Sequence, residues 1–174
     1  MKLASINDFD IVDSVTGVNV SVWVYGCPNR CNGCHNQELW DENGREETPN
    51  DQVIADVIEK MSSHGPLKGL SILGGEPLAP YNRKDVLELI SAVRTEFQDS
   101  VQVYVWTGYW IEDLIEEDDD TIVGILKQID YLIDGPYIEK LKENIQLRGS
   151  SNQRILKKQD ILIKFFQRDV EQNS

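Results

Sequence analysis

The stretch G-C-P-N-R-C-N-G-C-H-N-Q-E-L-W, Gly26 to Trp40, holds every cysteine of the 174-residue chain. Cys27, Cys31 and Cys34 are spaced C-x3-C-x2-C, with Gly26, Pro28, Asn29, Asn32, Gly33 and Asn36 between or beside them. Glycine and asparagine tolerate the left-handed backbone that wrapping three side chains around one centre demands, and proline stiffens the loop. Thiolates this close together suit a soft metal. A [4Fe-4S] cube takes four ligands, so three cysteines leave one iron without a protein thiolate, which is a place for a substrate. Structural zinc is the competing reading. His35 would complete the set, but it is adjacent to Cys34, and neighbouring ligands crowd one small tetrahedral ion. A disulfide framework is disfavoured by the odd count and by the absence of a secretory leader.

The loop leaves the C-terminal end of the first strong strand pattern, Asn19 to Tyr25 (N-V-S-V-W-V-Y), where catalytic loops of βα folds sit. Upstream, Lys2–Ile6 and Phe9–Asp13 read as two short extended segments joined at Asn7-Asp8, an edge hairpin or extension. Downstream, Thr48-Pro49-Asn50-Asp51 supplies a helix N-cap, a proline at the first helical position and an acid in the first turn. Val53, Ile54, Val57, Ile58 and Met61 then share one helical face. A strand follows at Leu70–Leu73, then a helix capped by Asn82 with Val86, Leu87, Leu89, Ile90, Val93 and Phe97 facing the core. Val101–Trp106 is a third strand, Ile111–Gln128 one helix or two helical pieces, and Tyr131–Ile133 a fourth strand. This alternation predicts an α/β fold with a mostly parallel sheet and right-handed crossovers. A closed eight-unit barrel needs roughly 200 to 250 residues or more, so the chain is expected to hold about four to five βα units in an open, curved sheet.

A second motif sits at Gly69–Pro77, G-L-S-I-L-G-G-E-P, where a short apolar strand ends in Gly74-Gly75-Glu76-Pro77. Together with the cysteine spacing, in this order, it resembles the radical S-adenosylmethionine (SAM) superfamily. Gly33 stands where that superfamily usually carries an aromatic residue, and the resemblance passes the packing against adenine to His35. Further residues sharpen the likeness: W-T-G-Y at 106–109, D-G-P-Y-I-E-K-L from Asp134, and L-R-G-S-S-N-Q-R-I from Leu147 to Ile155. With these the chain resembles the activating proteins of anaerobic (class III) ribonucleoside-triphosphate reductase, over nearly its whole length.

The resemblance implies a single radical SAM activase domain over residues 1–174, with an open partial (βα) barrel and two cofactors, a [4Fe-4S] cluster and SAM. It makes Cys27, Cys31 and Cys34 the cluster ligands. It places Gly74, Gly75 and Glu76 at the methionine end of SAM, the glycines allowing close backbone approach and Glu76 offering an acceptor. Gly33, Cys34 and His35 would meet the adenine side, and Thr107 the ribose or the carboxylate. A Cβ at Gly75 is then expected to block SAM without harming cluster assembly. One electron passed to the sulfonium would release methionine and a 5′-deoxyadenosyl radical, which takes a hydrogen from a glycine Cα. The implied partners are the large catalytic subunit of the reductase and a one-electron donor such as flavodoxin or ferredoxin. Arg148 and Arg154 are candidates for docking to partner carboxylates, against the plainer reading that they tie the C-terminal strands to the sheet. A short radical SAM enzyme acting on a small molecule, of the deazaguanine synthase type, and a zinc-binding interaction module are the alternatives.

Composition fits a soluble enzyme of the reducing cytoplasm. The chain is 40% hydrophobic, and no apolar run approaches the length of a membrane span. Its first ten residues turn acidic before any signal-type apolar region forms. The formal charge of −13 argues against nucleic acid or an anionic membrane as partner. The acidic run Glu112–Asp120 is expected to be a solvated loop or helix end.

Overall fold

A computed structural model describes residues 1–172 apart from positions 16 and 64, and the side chains at 144, 166 and 168–172 are likewise outside the description. The strands are β1 (Leu3–Asp10), β2 (Asn19–Val24), β3 (Gly69–Gly74), β4 (Val103–Trp106), β5 (Tyr131–Asp134), β6 (Lys142–Ile145), β7 (Arg148–Ser150) and β8 (Arg154–Lys157). The helices are α1 (Asn50–Ser62), α2 (Arg83–Phe97), α3 (Ile111–Glu116), α4 (Asp120–Gln128) and α5 (Lys158–Gln172). Six strands form one sheet in the order β1-β2-β3-β4-β5-β8, and β6-β7 is a separate two-stranded ribbon. From β2 to β5 the strands are parallel, with α1, α2 and the α3–α4 pair as the crossovers.

The parallel core is one or two units shorter than expected, because both flanking strands run antiparallel: β1 pairs with β2 and β8 with β5. The segment from Gly135 to Gln153 folds into a ribbon instead of a crossover helix, so the chain returns in the opposite sense. At the N-terminus one strand with register shifts replaces the expected pair of extended segments, and Ile11–Asp13 bends away from it. The α5 helix has no counterpart among the sequence expectations. Among the described residues, no helix is long and apolar enough to cross a membrane.

The period of two along each strand separates two faces. Val20, Val22, Val24, Leu70, Ile72, Val103, Val105 and Leu132 all point into one large core. Val53, Val57 and Met61 of α1, Val86, Leu89, Ile90 and Val93 of α2, and Ile122 and Ile125 of α4 fill it. The alternate residues Ser21, Trp23, Ser71, Leu73, Tyr104 and Trp106 face the other way. There Tyr104, Ile133 and Leu147 make a small second cluster, with Tyr104 stacked on Tyr131 at 4.6 Å between ring centroids. Helices therefore cover one face, and the other is left to the loops and the ribbon.

Neither expected cap makes a side-chain capping bond. The α1 helix starts at Asn50 with Pro49 in the N-cap place and no side-chain cap, while the main chain of Thr48 is bonded to Met1 instead. Asn82 precedes α2 but donates its amide to the carbonyls of Tyr25 (3.1 Å) and Glu76 (2.9 Å), bridging two strand exits. The acidic run is mostly exposed around the α3–α4 turn, as expected, but Glu112, Glu117 and Asp119 are held in ion pairs. Asp119 does cap α4 by accepting from the Thr121 N–H at 2.7 Å, and buried Arg83 reaches Glu117 (2.7 Å) and Asp119 (2.8 Å). Glu112 pairs with Arg154 at 2.7 Å and with Lys164.

Arg154 lies on β8, and its fork is taken up inside the chain. Its Nε donates to Asp134 Oδ1 at 2.9 Å, its terminal nitrogens reach Asp134 and Glu112, and its guanidinium lies 4.7 Å over the Trp110 ring. Asp134 is fully buried, so removing its partner leaves a desolvated carboxylate held, among the described residues, by the Ile111 N–H alone. Replacing Arg154 with Met is expected to lower unfolding free energy by roughly 3 kcal/mol in urea titration. Acid is expected to act through the same pairs. The Arg154 hydrogen bond holds Glu112 down to about 2 from 4.5, and Arg83 holds Asp119 down to about 2 from 3.8. These carboxyls bind protons more readily in the unfolded chain, so their stabilisation is complete above about pH 4.5 and lost as pH falls toward 2. A pH series of melting temperatures checks this, and the acid-side slope is expected to be shallower in the Arg154→Met protein.

Candidate functional site

The exits of β2, β3 and β4 meet at one end of the sheet, and the cysteine loop leaves from the first of them. The Gly75 N–H donates to the Val24 carbonyl (2.8 Å) and the Glu76 N–H to the Gly26 carbonyl (2.8 Å), so the turn after β3 is laced to the backbone entering Cys27. Gly75 is obligatory at this contact: a Cβ there would stand 2.6 Å from the Gly26 carbonyl oxygen and 3.1 Å from the Tyr25 carbonyl carbon. Gly74, at φ +106, is equally tight against Val24. The glycine pair thus has a steric reason in the protein itself. The sequence expectation that a Cβ at Gly75 would spare cluster assembly is revised accordingly.

Glu76 is buried, and its carboxylate is enclosed by four donors. Oε1 accepts from the Leu78 N–H (3.0 Å) and the Thr107 hydroxyl (2.7 Å), and Oε2 from the Asn29 amide (2.9 Å) and the Gly108 N–H (2.7 Å). Burial pushes its pKa up, and these donors pull against that. Three of the four are N–H groups that can only donate, so the cage suits the ionised form. The acceptor that the sequence offered to a ligand is therefore committed to holding the site together, as is the Thr107 hydroxyl. Gly108 passes so close to the Asn29 amide that a Cβ would collide with it.

The three cysteines are free thiols, each partly exposed. Main-chain N–H groups are directed at all three sulfurs: those of Asn29 and Arg30 at Cys27, that of Tyr137 at Cys31, and that of Asn36 at Cys34 at 3.4 Å. Such donors favour the thiolate that a metal requires and are the usual surroundings of an iron–sulfur cluster. Without a metal, burial pushes the Cys27 thiol up to about 11 and raises that of Cys31. Gly26 and Gly33 take positive φ as the sequence suggests, but the third left-handed residue of the loop is Arg30 and none of its asparagines is one. Among the described residues, no three His, Cys, Asp or Glu side chains close around the centre of a single ion.

All three cysteines line one cavity of about 550 Å³, within the range of small-molecule sites. His35, Gly74, Gly75, Glu76 and Thr107 line it too, so the structure gathers these sequence candidates around the cysteines. Gly33 lies at the loop's outer turn, where a Cβ would run into Glu139. Exposed His35 stands 5.9 Å from the Tyr137 ring. Arg148 lines the cavity too, donating to the Gln153 carbonyl at 3.0 Å with a buried Nε that has no partner among the described residues. Arg154 is outside the cavity. Sequence reasoning missed Asn29, the Tyr137 N–H and the β6–β7 wall with Leu147. A polar residue inside C-x3-C and a main-chain donor in a distant loop carry no local pattern.

The 4Fe-4S single cluster domain family matches residues 15–156. The anaerobic ribonucleoside-triphosphate reductase-activating protein of Vibrio cholerae is 36% identical over 150 residues, covering 84% of this chain and 91% of that protein. The protein of the same name from Enterobacteria phage T4 is 34% identical over 80% of this chain and 83% of its own length, and that of Escherichia coli is 32% identical over 83% and 90%. The chain belongs to the family of anaerobic ribonucleoside-triphosphate reductase-activating proteins.

Proposed function

We propose that this protein is a radical SAM activase of a partial-barrel type, working in the cytoplasm on the large catalytic subunit of anaerobic ribonucleoside-triphosphate reductase. Cys27, Cys31 and Cys34 would hold a [4Fe-4S] cluster, and SAM would lie against the glycine turn. The cluster, when bound, supplies one electron to the sulfonium of SAM, the reaction that leads to a glycyl radical on the reductase. Flavodoxin or ferredoxin is the fitting donor class. One observation carries the reading: three thiols with N–H donors aimed at them share a cavity with Gly74-Gly75-Glu76.

The chain's own residues orient and shield. Glu76 fixes Asn29, and through it the first cysteine gap, to the end of β4 at Thr107 and Gly108. Leu73, Trp106 and Leu147 give the cavity apolar walls that limit water. His35 beside Tyr137, with the main chain of Gly33 and Cys34, suits the adenine side. Arg148, whose buried Nε has no partner among the described residues, suits an anionic group in the same cavity.

Replacing any one of Cys27, Cys31 or Cys34 by Ala is expected to abolish cluster assembly, since the chain has no fourth cysteine to substitute. Iron and sulfide analysis after anaerobic reconstitution reads the result, and full iron content in any variant would remove that ligand. For Gly75→Val, the 2.6 Å clash with Gly26 predicts displacement of the cysteine loop at a cost of roughly 1–3 kcal/mol. Both iron content and SAM cleavage are then expected to fall together. A variant with full iron but no SAM cleavage would instead put Gly75 at the SAM surface alone.

A further inference from the structure

The segment between β1 and β2 spends apolar surface on solvent. Phe9, Ile11, Val12 and Val15, four large apolar side chains within seven residues, are 63%, 64%, 72% and 43% exposed. Isolated exposed apolar residues need no explanation, but a run of them on an ordered segment marks a contact surface. The segment is held from several sides. The buried carboxylate of Asp10 accepts from the N–H groups of Val12 (2.8 Å) and Asp13 (3.1 Å) and turns the chain away from β2. The Asp13 carbonyl accepts from Ser71 (2.6 Å) on β3 and from the Asn19 amide (3.2 Å) on β2. The Val15 N–H donates to the Tyr104 hydroxyl at 3.3 Å, and Gln146 of the ribbon donates to the Ser14 carbonyl at 3.3 Å. Backbone bonds from three strands and the ribbon therefore hold these apolar side chains outside the core, and such preorganisation lowers the ordering cost of binding.

Two observations indicate the occupant. Val12 and Asp13 line the same cavity as the cysteines, so the apolar segment continues the cavity wall to the outside. Exposed Asp8 borders it in a chain of formal charge −13, which suits an apolar surface bordered by basic groups.

We propose that Phe9–Val15 is a docking lip for the protein substrate, an apolar, basic-flanked surface of the reductase subunit next to the segment that enters the cavity. The proposal rests on the activase reading above and adds to it where the partner sits. Phe9 and Ile11 do not line the cavity, so replacing both with Ser separates docking from chemistry. In cluster-loaded protein, the Phe9→Ser/Ile11→Ser variant is expected to cleave SAM with reductant at the wild-type rate. Its dissociation constant for the reductase subunit, by anaerobic calorimetry, is expected to rise about tenfold or more. Wild-type affinity in the variant would overturn the lip while leaving the activase reading intact. Absence of any binding by wild type would overturn that reading and the lip together. If wild type instead dimerises alone through this surface, and the variant is monomeric with unchanged reductase affinity, the lip belongs to a second copy of the chain and the proposal fails.

Discussion

The buried carboxylate of Glu76 is the contact on which the geometry of the site depends. It gathers a donor from the turn after β3, two from the end of β4 and one from inside the cysteine loop. A buried charge is costly unless its lone pairs are filled, so the carboxylate depends on all three segments being in place together. The dependence runs both ways. The carboxylate needs the elements, and the otherwise irregular cysteine loop gains a fixed attachment through Asn29 to the rigid end of a parallel sheet. The glycines serve the same end by letting backbones approach where side chains would keep them apart.

The division of the sheet into two faces makes room for that site. One face is sealed by apolar side chains and helices, which supply the hydrophobic stabilisation. The other carries serine, tyrosine and tryptophan and is covered only in part, by the β6–β7 ribbon and the β1–β2 segment. A cavity is left between them, with sulfur donors at one end and an apolar lip at its rim. The acidic residues near the sheet are held in two ways: Arg83 and Arg154 neutralise Glu117, Asp119, Glu112 and Asp134, whereas buried Asp10 and Glu76 are held by hydrogen-bond donors.

Much of this was legible in the chain. The parallel strands β2 to β5 and helices α1, α2 and α4 announce themselves because each buries a strip of one face, and such strips leave a period in the sequence. The cysteines and the Gly-Gly-Glu turn are legible for a different reason, since clustered chemistry at fixed spacing has few other uses. The family comparisons agree with the resemblance those motifs carried.

What the sequence by itself determined was therefore the class of fold and the common location of the cysteines and the Gly-Gly-Glu turn at strand ends, both of which depend on local pattern. Only the tertiary structure decided what each polar residue does there. Asn82 has the type and place of a helix cap and instead bridges two strand exits. Glu76 has the type of a ligand acceptor and instead closes a cage, and Arg154 has the type of a docking residue and instead neutralises buried Asp134. The long-range partners in these contacts, Tyr25 for Asn82, Asn29 for Glu76 and Asp134 for Arg154, are 57, 47 and 20 residues away in the chain. A hydrogen bond between distant segments depends on orientation and burial that exist only once the sheet has formed, so no local pattern records it.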